Sequence, residues 1–211
     1  MGLRKHCNPL TFREKVEPPD WGKAFPVERP MEIDVGCGKG DFVFERARNH
    51  PEINFVGLDV REAFCDILSK RLKNFEGDNL YILRCNVNVS LKELFRLETV
   101  AKIHIYFPDP WFKKRHKKRR IVTSEFVETC AEILVLGGEL HIASDVEKLA
   151  REILGICEGN QRLKNIAERG FAKERFFPET TNWEKHLLKI SKPFWRIAFE
   201  KKIQETAEIE L

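Results

Sequence analysis

The chain has 211 residues, 42% of them hydrophobic, which is enough for one good core and makes a single domain the natural count. No stretch approaches the ~20 apolar residues of a membrane span, and the N-terminal region lacks the pattern of a signal peptide, which argues against membrane and secreted classes. The formal net charge is +4, yet seven Lys and Arg residues fall within positions 113–120, and without them the remainder carries −3. A mildly acidic chain with one concentrated basic run suits a polyanionic partner better than general solubility.

Residues 1–30 are short of apolar runs and hold Pro9, Pro18, Pro19, Pro26 and Pro30, so they read as an arm that packs on, or extends from, a domain spanning residues 31–211. Cys7, Cys37, Cys65, Cys85, Cys130 and Cys157 form no Cys-x-x-Cys pair. Reduced thiols in a cytoplasm, and no structural metal, are the expectation.

From position 31 the pattern alternates. Residues 31–35 predict a strand that ends in Gly36-Cys37-Gly38-Lys39-Gly40, and 41–49 a helix. A second strand over 53–58 ends at Asp59, a helix covers 63–75, a third strand 80–83, and a short helix 91–97. The fourth strand is 103–107. A helix over 124–134 has Ser124 as its expected N-cap, the fifth strand is 139–143, and a helix over 145–157 has Asp145 as its cap. Residues 171–175 and 194–200 read as the last two strands, with 180–189 between them turning from loop to helix. Strands alternating with helices predict an α/β fold: a three-layer, doubly wound, mostly parallel seven-stranded sheet with helices on both faces.

Two strand ends carry chemistry. A Gly-x-Gly turn opening a helix, with an acid ending the next strand, is placed to bind a nucleoside: glycines let the ligand approach the backbone and Asp59 accepts from ribose hydroxyls. Position 41 is Asp, where the dinucleotide fingerprint has its third Gly, and a carboxylate at the helix N-terminus repels pyrophosphate. S-adenosylmethionine, which has no phosphate and carries an ammonium, fits this loop. The alternative is a ligand-free turn. At the other strand end stands Phe107-Pro108-Asp109-Pro110-Trp111, where each proline restricts the residue before it to extended backbone and mounts Asp109 stiffly past the carboxyl end of the fourth strand. The basic run follows at once, and a solvated face is its alternative reading.

Taken together, Asp34-Val35-Gly36-Cys37-Gly38-Lys39-Gly40, Gly57-Leu58-Asp59, Phe107-Pro108-Asp109-Pro110-Trp111 with Lys113, Arg115-His116 and Lys118-Arg119-Arg120, then Ser144-Asp145 and Thr181-Asn182-Trp183-Glu184, resemble the bacterial tRNA (guanine-N7-)-methyltransferase family, of the Rossmann-like class I S-adenosylmethionine-dependent fold. The resemblance implies methyl transfer to N7 of a guanine in tRNA, the variable-loop guanosine at tRNA position 46, in the cytoplasm, by a monomer or homodimer. It further implies that Asp34, Gly36, Gly38, Asp59, Asn86 and Asp109 contact the cofactor and that Asp109 is catalytic. On the same grounds Lys113, Asp145, Thr181, Asn182, Trp183 and Glu184 contact the substrate, and Lys114, Arg115, Lys117, Lys118, Arg119 and Arg120 the RNA backbone. Positions 34 and 59 are often Glu in the family, and Trp183 stands where Phe or Tyr is more usual. Asp145 as a mere cap, Asn86 as a turn residue and Trp183 as core are the competing readings. As whole functions, the rivals are an exocyclic-amine nucleic-acid methyltransferase, disfavoured by the proline before Asp109; a nicotinamide-dependent dehydrogenase, disfavoured by Asp41; and a non-catalytic RNA-binding module.

Overall fold

The computed structural model describes residues 8–167 and 169–203; Cys7 and the rest of residues 1–7 of the expected arm, and residues 204–211 of the expected domain, lie outside them. Among the described residues the strands are β1 (Met31–Val35), β2 (Asn54–Asp59), β3 (Leu80–Arg84), β4 (Val100–Tyr106), β5 (Leu134–Ser144), β6 (Leu163–Asn165) and β7 (Trp195–Lys201). They form one sheet in the order β3-β2-β1-β4-β5-β7-β6. The first five run parallel, β7 is antiparallel to β5, and β6 is antiparallel to β7. The helices are α1 (Trp21–Ala24), α2 (Asp41–Asn49), α3 (Cys65–Lys73), α4 (Val87–Leu94), α5 (Ser124–Ile133), α6 (Glu147–Glu158) and α7 (Asn182–Lys189), with a 3-10 turn at Lys114–Arg119. None is long and apolar enough to cross a membrane.

Side-chain alternation along each strand divides the core between two faces. Ile33, Val35, Val56, Leu58, Ile103, Ile105, Leu140 and Ile142 pack against apolar residues of α4, α5 and α6. On the other face, Phe55 and Leu80 meet Val43, Phe44, Ala47 and Leu68 of α2 and α3, and Ala143 meets Leu187 of α7. Within residues 8–30, Val16 and Trp21 lie against α4: Trp21 donates its indole N–H to the Leu94 carbonyl at 2.9 Å and stacks on Phe25 and Phe95.

Several expectations are corrected. The segment 171–175 makes only a single bridge, Ala172 to Arg196, and the seventh strand is β6, a three-residue edge strand too short to stand out in the pattern. The short helix begins at Val87, four residues before the expected start, because Asn86 caps it through the Asn88 N–H. The cap of α5 is Thr123, whose hydroxyl takes the Phe126 N–H, in place of Ser124. Helix α6 starts at Glu147 after Val146, so Asp145 does not cap it.

One feature of the α2 face was not foreseen. The even positions of β1 and β4 place Glu32 and His104 where apolar residues are usual. Glu32 accepts two bonds from Arg46 of α2 at 2.9 Å and pairs with His104 Nε2 at 3.0 Å, while Arg46 also reaches Glu179 at 3.1 Å. All four residues are buried. Burial alone raises a carboxyl pKa, but His104 and Arg46 outweigh it and bring Glu32 to about 2. Burial lowers His104 to about 4, so the imidazole is neutral near pH 7.

Candidate active site

The sheet reverses its winding between β1 and β4, and ligands of open α/β sheets bind at the carboxyl ends of the strands flanking such a point. A cavity of about 210 Å³ lies there. Its wall is built from the turn after β1, the end of β2, the turn after β3, the end of β4 and the start of α7. Of the residues expected on the cofactor, Asp34, Gly36, Gly38, Asp59, Asn86 and Asp109 all line it. Thr181, Asn182, Trp183 and Arg119 line it as well.

The turn after β1 works because glycine tolerates left-handed backbone. Gly36 has φ of +78° and nothing within 4 Å of where a Cβ would sit, which leaves its backbone open to a ligand. Gly40 has φ of +81°, and a Cβ there would come within 2.7 Å of Phe44, so the packing of α2 on the turn also demands glycine. Asp41, the first residue of α2, is held by Arg71 on one oxygen and by Asn182 on the other. That second bond ties α7 to the turn after β1.

Asp34 is the electrostatic centre. It is 5% exposed, and burial together with the neighbouring charge of Asp59 raises its pKa to about 8. A buried acid without a cation of its own is stabilised by a ligand's ammonium. Asp59 is different: its Oδ2 accepts from Gly38 N (2.9 Å) and Arg61 Nη2 (2.9 Å), and its Oδ1 from Arg61 N (2.8 Å) and Nε (3.0 Å). Arg61 was missed in the sequence, where nothing but its place two residues after the acid could have marked it. The side-chain amide of Asn86 is also committed, donating to the Pro9 and Phe12 carbonyls at 2.9 Å, so it fastens residues 8–12 to the site and only its remaining surface faces the cavity.

The backbone around Asp109 departs from expectation. Phe107, predicted extended because a proline follows, has φ of +53°, and Trp111 has φ of +42°. Left-handed backbone costs a bulky residue of order 1–3 kcal/mol and persists only where the surroundings hold it. Here Phe107 N–H donates to the Ala143 carbonyl at 2.7 Å, its ring packs against Phe194 and Leu187, and Arg120 Nε holds the Pro110 carbonyl at 2.9 Å. The two kinks present Asp109 to the cavity on a fixed mount.

The remaining expected residues separate by place. Asp145 lies outside the cavity wall but accepts from the Trp183 indole at 3.2 Å and from Lys192 at 3.3 Å, so it orients a wall residue. Thr181 caps α7 through the Glu184 N–H. Glu184 is buried beneath the wall and bonded to Arg196 at 2.8 Å, which makes it a support of the segment and not a surface contact. Of the basic run, Lys113, Lys114, Arg115, Lys117 and Lys118 are exposed beside the mouth; Arg119 sits over the Trp111 ring at 4.9 Å. Arg120 turns inward to Pro110 and Glu152, and Lys117 also reaches Glu152, so Arg120 shapes the loop instead of facing solvent. Phe112 is 71% exposed at the head of the run. Among the described residues no group of three or more His, Cys, Asp or Glu could hold a metal ion.

A doubly wound sheet with an antiparallel β7, a glycine turn under a buried acid, and a second acid at the end of β4 define a class I S-adenosylmethionine-dependent methyltransferase. The fold is similar to that of 16S rRNA methyltransferase KamB, with a TM-score of 0.62 and 15% identity over 91% of this chain and 98% of that one. A family model described as "Putative methyltransferase" matches residues 28–197. The chain is 32% identical over 203 residues to a tRNA (guanine-N(7)-)-methyltransferase of Microcystis aeruginosa, covering 93% of this chain and 96% of that one. It is 39% identical over 162 residues to one of Synechococcus elongatus, covering 74% and 75%. The chain belongs to the tRNA (guanine-N7-)-methyltransferase family.

Proposed function

We infer that this chain transfers the methyl group of S-adenosylmethionine to N7 of a guanine in tRNA, giving 7-methylguanosine, and that it does so in the cytoplasm. The observation that carries the reading is one cavity with a cofactor half, Asp34, Gly36, Gly38 and Asp59, and a substrate half, Asp109, Thr181, Asn182 and Trp183, opening beside an exposed basic run. The cofactor fits these residues: the buried acid Asp34 suits its ammonium, and the open backbone of Gly36 suits close approach. When bound, it supplies an electrophilic methyl on a sulfonium.

Guanine N7 has a free lone pair at neutral pH, so the protein needs no general base. Its task is to hold the base in line and to answer the charge that reaches the purine. Asp109, accepting from guanine N1–H and the exocyclic amine, binds that cationic state better than the neutral base. The strained mount at Phe107 and Trp111 fixes its position, and bringing the two partners together supplies the entropic part of the acceleration. Trp183, oriented by Asp145, offers a face on which an extruded base stacks. Lys113, Lys114, Arg115, Lys117 and Lys118 meet phosphates, with Arg119 at the rim.

The test is incubation of unmodified tRNA with methyl-labelled cofactor and nucleoside analysis, with Asp109→Ala alongside. Label in 7-methylguanosine from the wild type and at least a hundredfold slower transfer by the variant, with tRNA affinity nearly kept, is the expected outcome. Label on an exocyclic amine, or none, would refute the reading.

A further inference from the structure

Asp59 ends β2 where a ribose diol is expected, yet a carboxylate has about four lone-pair positions and all four are used. Two of the donors are backbone N–H groups of the surrounding turns, which no ligand can displace without unfolding them. The other two, Nε and Nη2 of Arg61, belong to a side chain that is 31% exposed and lines the same cavity. The guanidinium carbon lies 4.2 Å from the centroid of the Phe64 ring, a platform that holds it whether or not it bonds to Asp59. The Asp109 carboxylate is near enough to act on it across the cavity.

From this geometry we propose that Arg61 is a positioning residue that sets the affinity of the site for its cofactor. It occupies the ribose position on Asp59 and is displaced by the two hydroxyls of the cofactor, whereas a ligand lacking them leaves it in place. The inference rests on the reading of the cavity as the S-adenosylmethionine site. Exchange of two charge-assisted bonds for two hydroxyl bonds lets a diol displace the guanidinium, while a ligand without hydroxyls offers Asp59 nothing in exchange. Arg61 acts through Asp59 and therefore lowers the affinity of every diol ligand by the free energy of its own displacement.

The test is calorimetry with S-adenosylhomocysteine and with its 2′,3′-dideoxy analogue on the wild type, Arg61→Ala, Arg61→Gln, Asp59→Asn and the Arg61→Ala/Asp59→Asn pair. Arg61→Ala should bind S-adenosylhomocysteine about tenfold more tightly than the wild type and Arg61→Gln by an intermediate factor. The gain should vanish in the Asp59→Asn background and for the dideoxy ligand. A residue that merely supports the fold would weaken both ligands in every background. Unchanged or weaker binding of S-adenosylhomocysteine by both Arg61 variants, with the wild type binding normally, overturns this proposal alone. If Arg61→Ala does not fold, Arg61→Gln decides by the same criterion. A wild type that binds neither ligand overturns the cofactor reading as well.

Discussion

Replacing Asp34 by Asn should make the protein more stable and less able to bind its cofactor. Without ligand, the folded chain holds the Asp34 proton up to about pH 8, whereas an ordinary aspartate releases it at 3.8. Between those values the folded state binds more protons than the unfolded one, so stability falls as pH rises through that window. Each pKa unit is worth about 1.4 kcal/mol, so at pH 7 the wild type has lost about 4 kcal/mol relative to pH 4 through this group. Asn has no proton to lose and escapes that loss. Urea unfolding from pH 4 to pH 8 should show the variant ahead by roughly 2–4 kcal/mol at pH 7, the gap closing toward pH 4. In the wild type an ammonium meeting Asp34 drives off its proton. Calorimetry in two buffers of different ionisation heat should therefore detect proton release on binding S-adenosylmethionine below pH 8, and the variant should show neither release nor normal affinity. A variant no more stable than the wild type at pH 7, together with proton-neutral binding by the wild type, would refute the argument.

Glu32→Gln should destabilise by roughly 3–5 kcal/mol, because it leaves Arg46 buried with half its compensation; urea midpoints check this. Since the Glu32 pKa is depressed to about 2, its contribution is complete above about 4.5 and is lost as pH falls through 2, so the variant's deficit should shrink under acid. Neutralising Lys114 and Lys118 together should weaken tRNA binding, lower the slope against log salt by about 1.5, and leave cofactor affinity alone; anisotropy across a salt series measures it, and an unchanged slope would mean the run is not the RNA footprint.

The parallel half of the fold was legible because buried strands announce themselves: β1, β2 and β4 are short apolar runs ending at glycine, acid and proline. The antiparallel half was not. β6 has three residues on a sheet edge, with one buried side chain, and no periodicity is visible over so short a span. The apolar run at Phe171 looked more like a strand, but its chain leaves the sheet after one bridge to carry Phe176 over the buried His141 of β5 and Phe177 over both His141 and His104. Each misplaced cap was off by one residue, Thr123 in place of Ser124, where two cap-forming side chains adjoin, and Val146 in place of Asp145. The site's acids could be read because they end strands. What held them could not: Asn182 reaches Asp41 and Arg120 reaches Glu152 over chain distances that carry no pattern, and Arg61, though only two residues from Asp59, has no motif to mark it.

Charge divides the site into two compartments. The floor carries Asp109, the Asp59–Arg61 pair and Asp34, which loses its proton when an ammonium arrives, while the mouth is flanked by exposed Lys113, Lys114, Arg115, Lys117 and Lys118. A cationic cofactor is favoured inside and a polyanion at the rim, and each field opposes the wrong occupant: phosphates are repelled from the floor, and the cofactor from the rim. The reaction then changes the balance. The transferred methyl takes one positive charge with it to the purine, so the cofactor product meets the acidic floor with one charge fewer than it brought, while the modified base has gained a charge beside Asp109. The floor thus loosens its hold on the spent cofactor, and release of the methylated base depends on the cations of the rim letting go of the tRNA. On this reasoning raising the salt concentration should shorten the lifetime of the tRNA complex much more than that of the S-adenosylhomocysteine complex, because only the former is held by exposed, screenable charge.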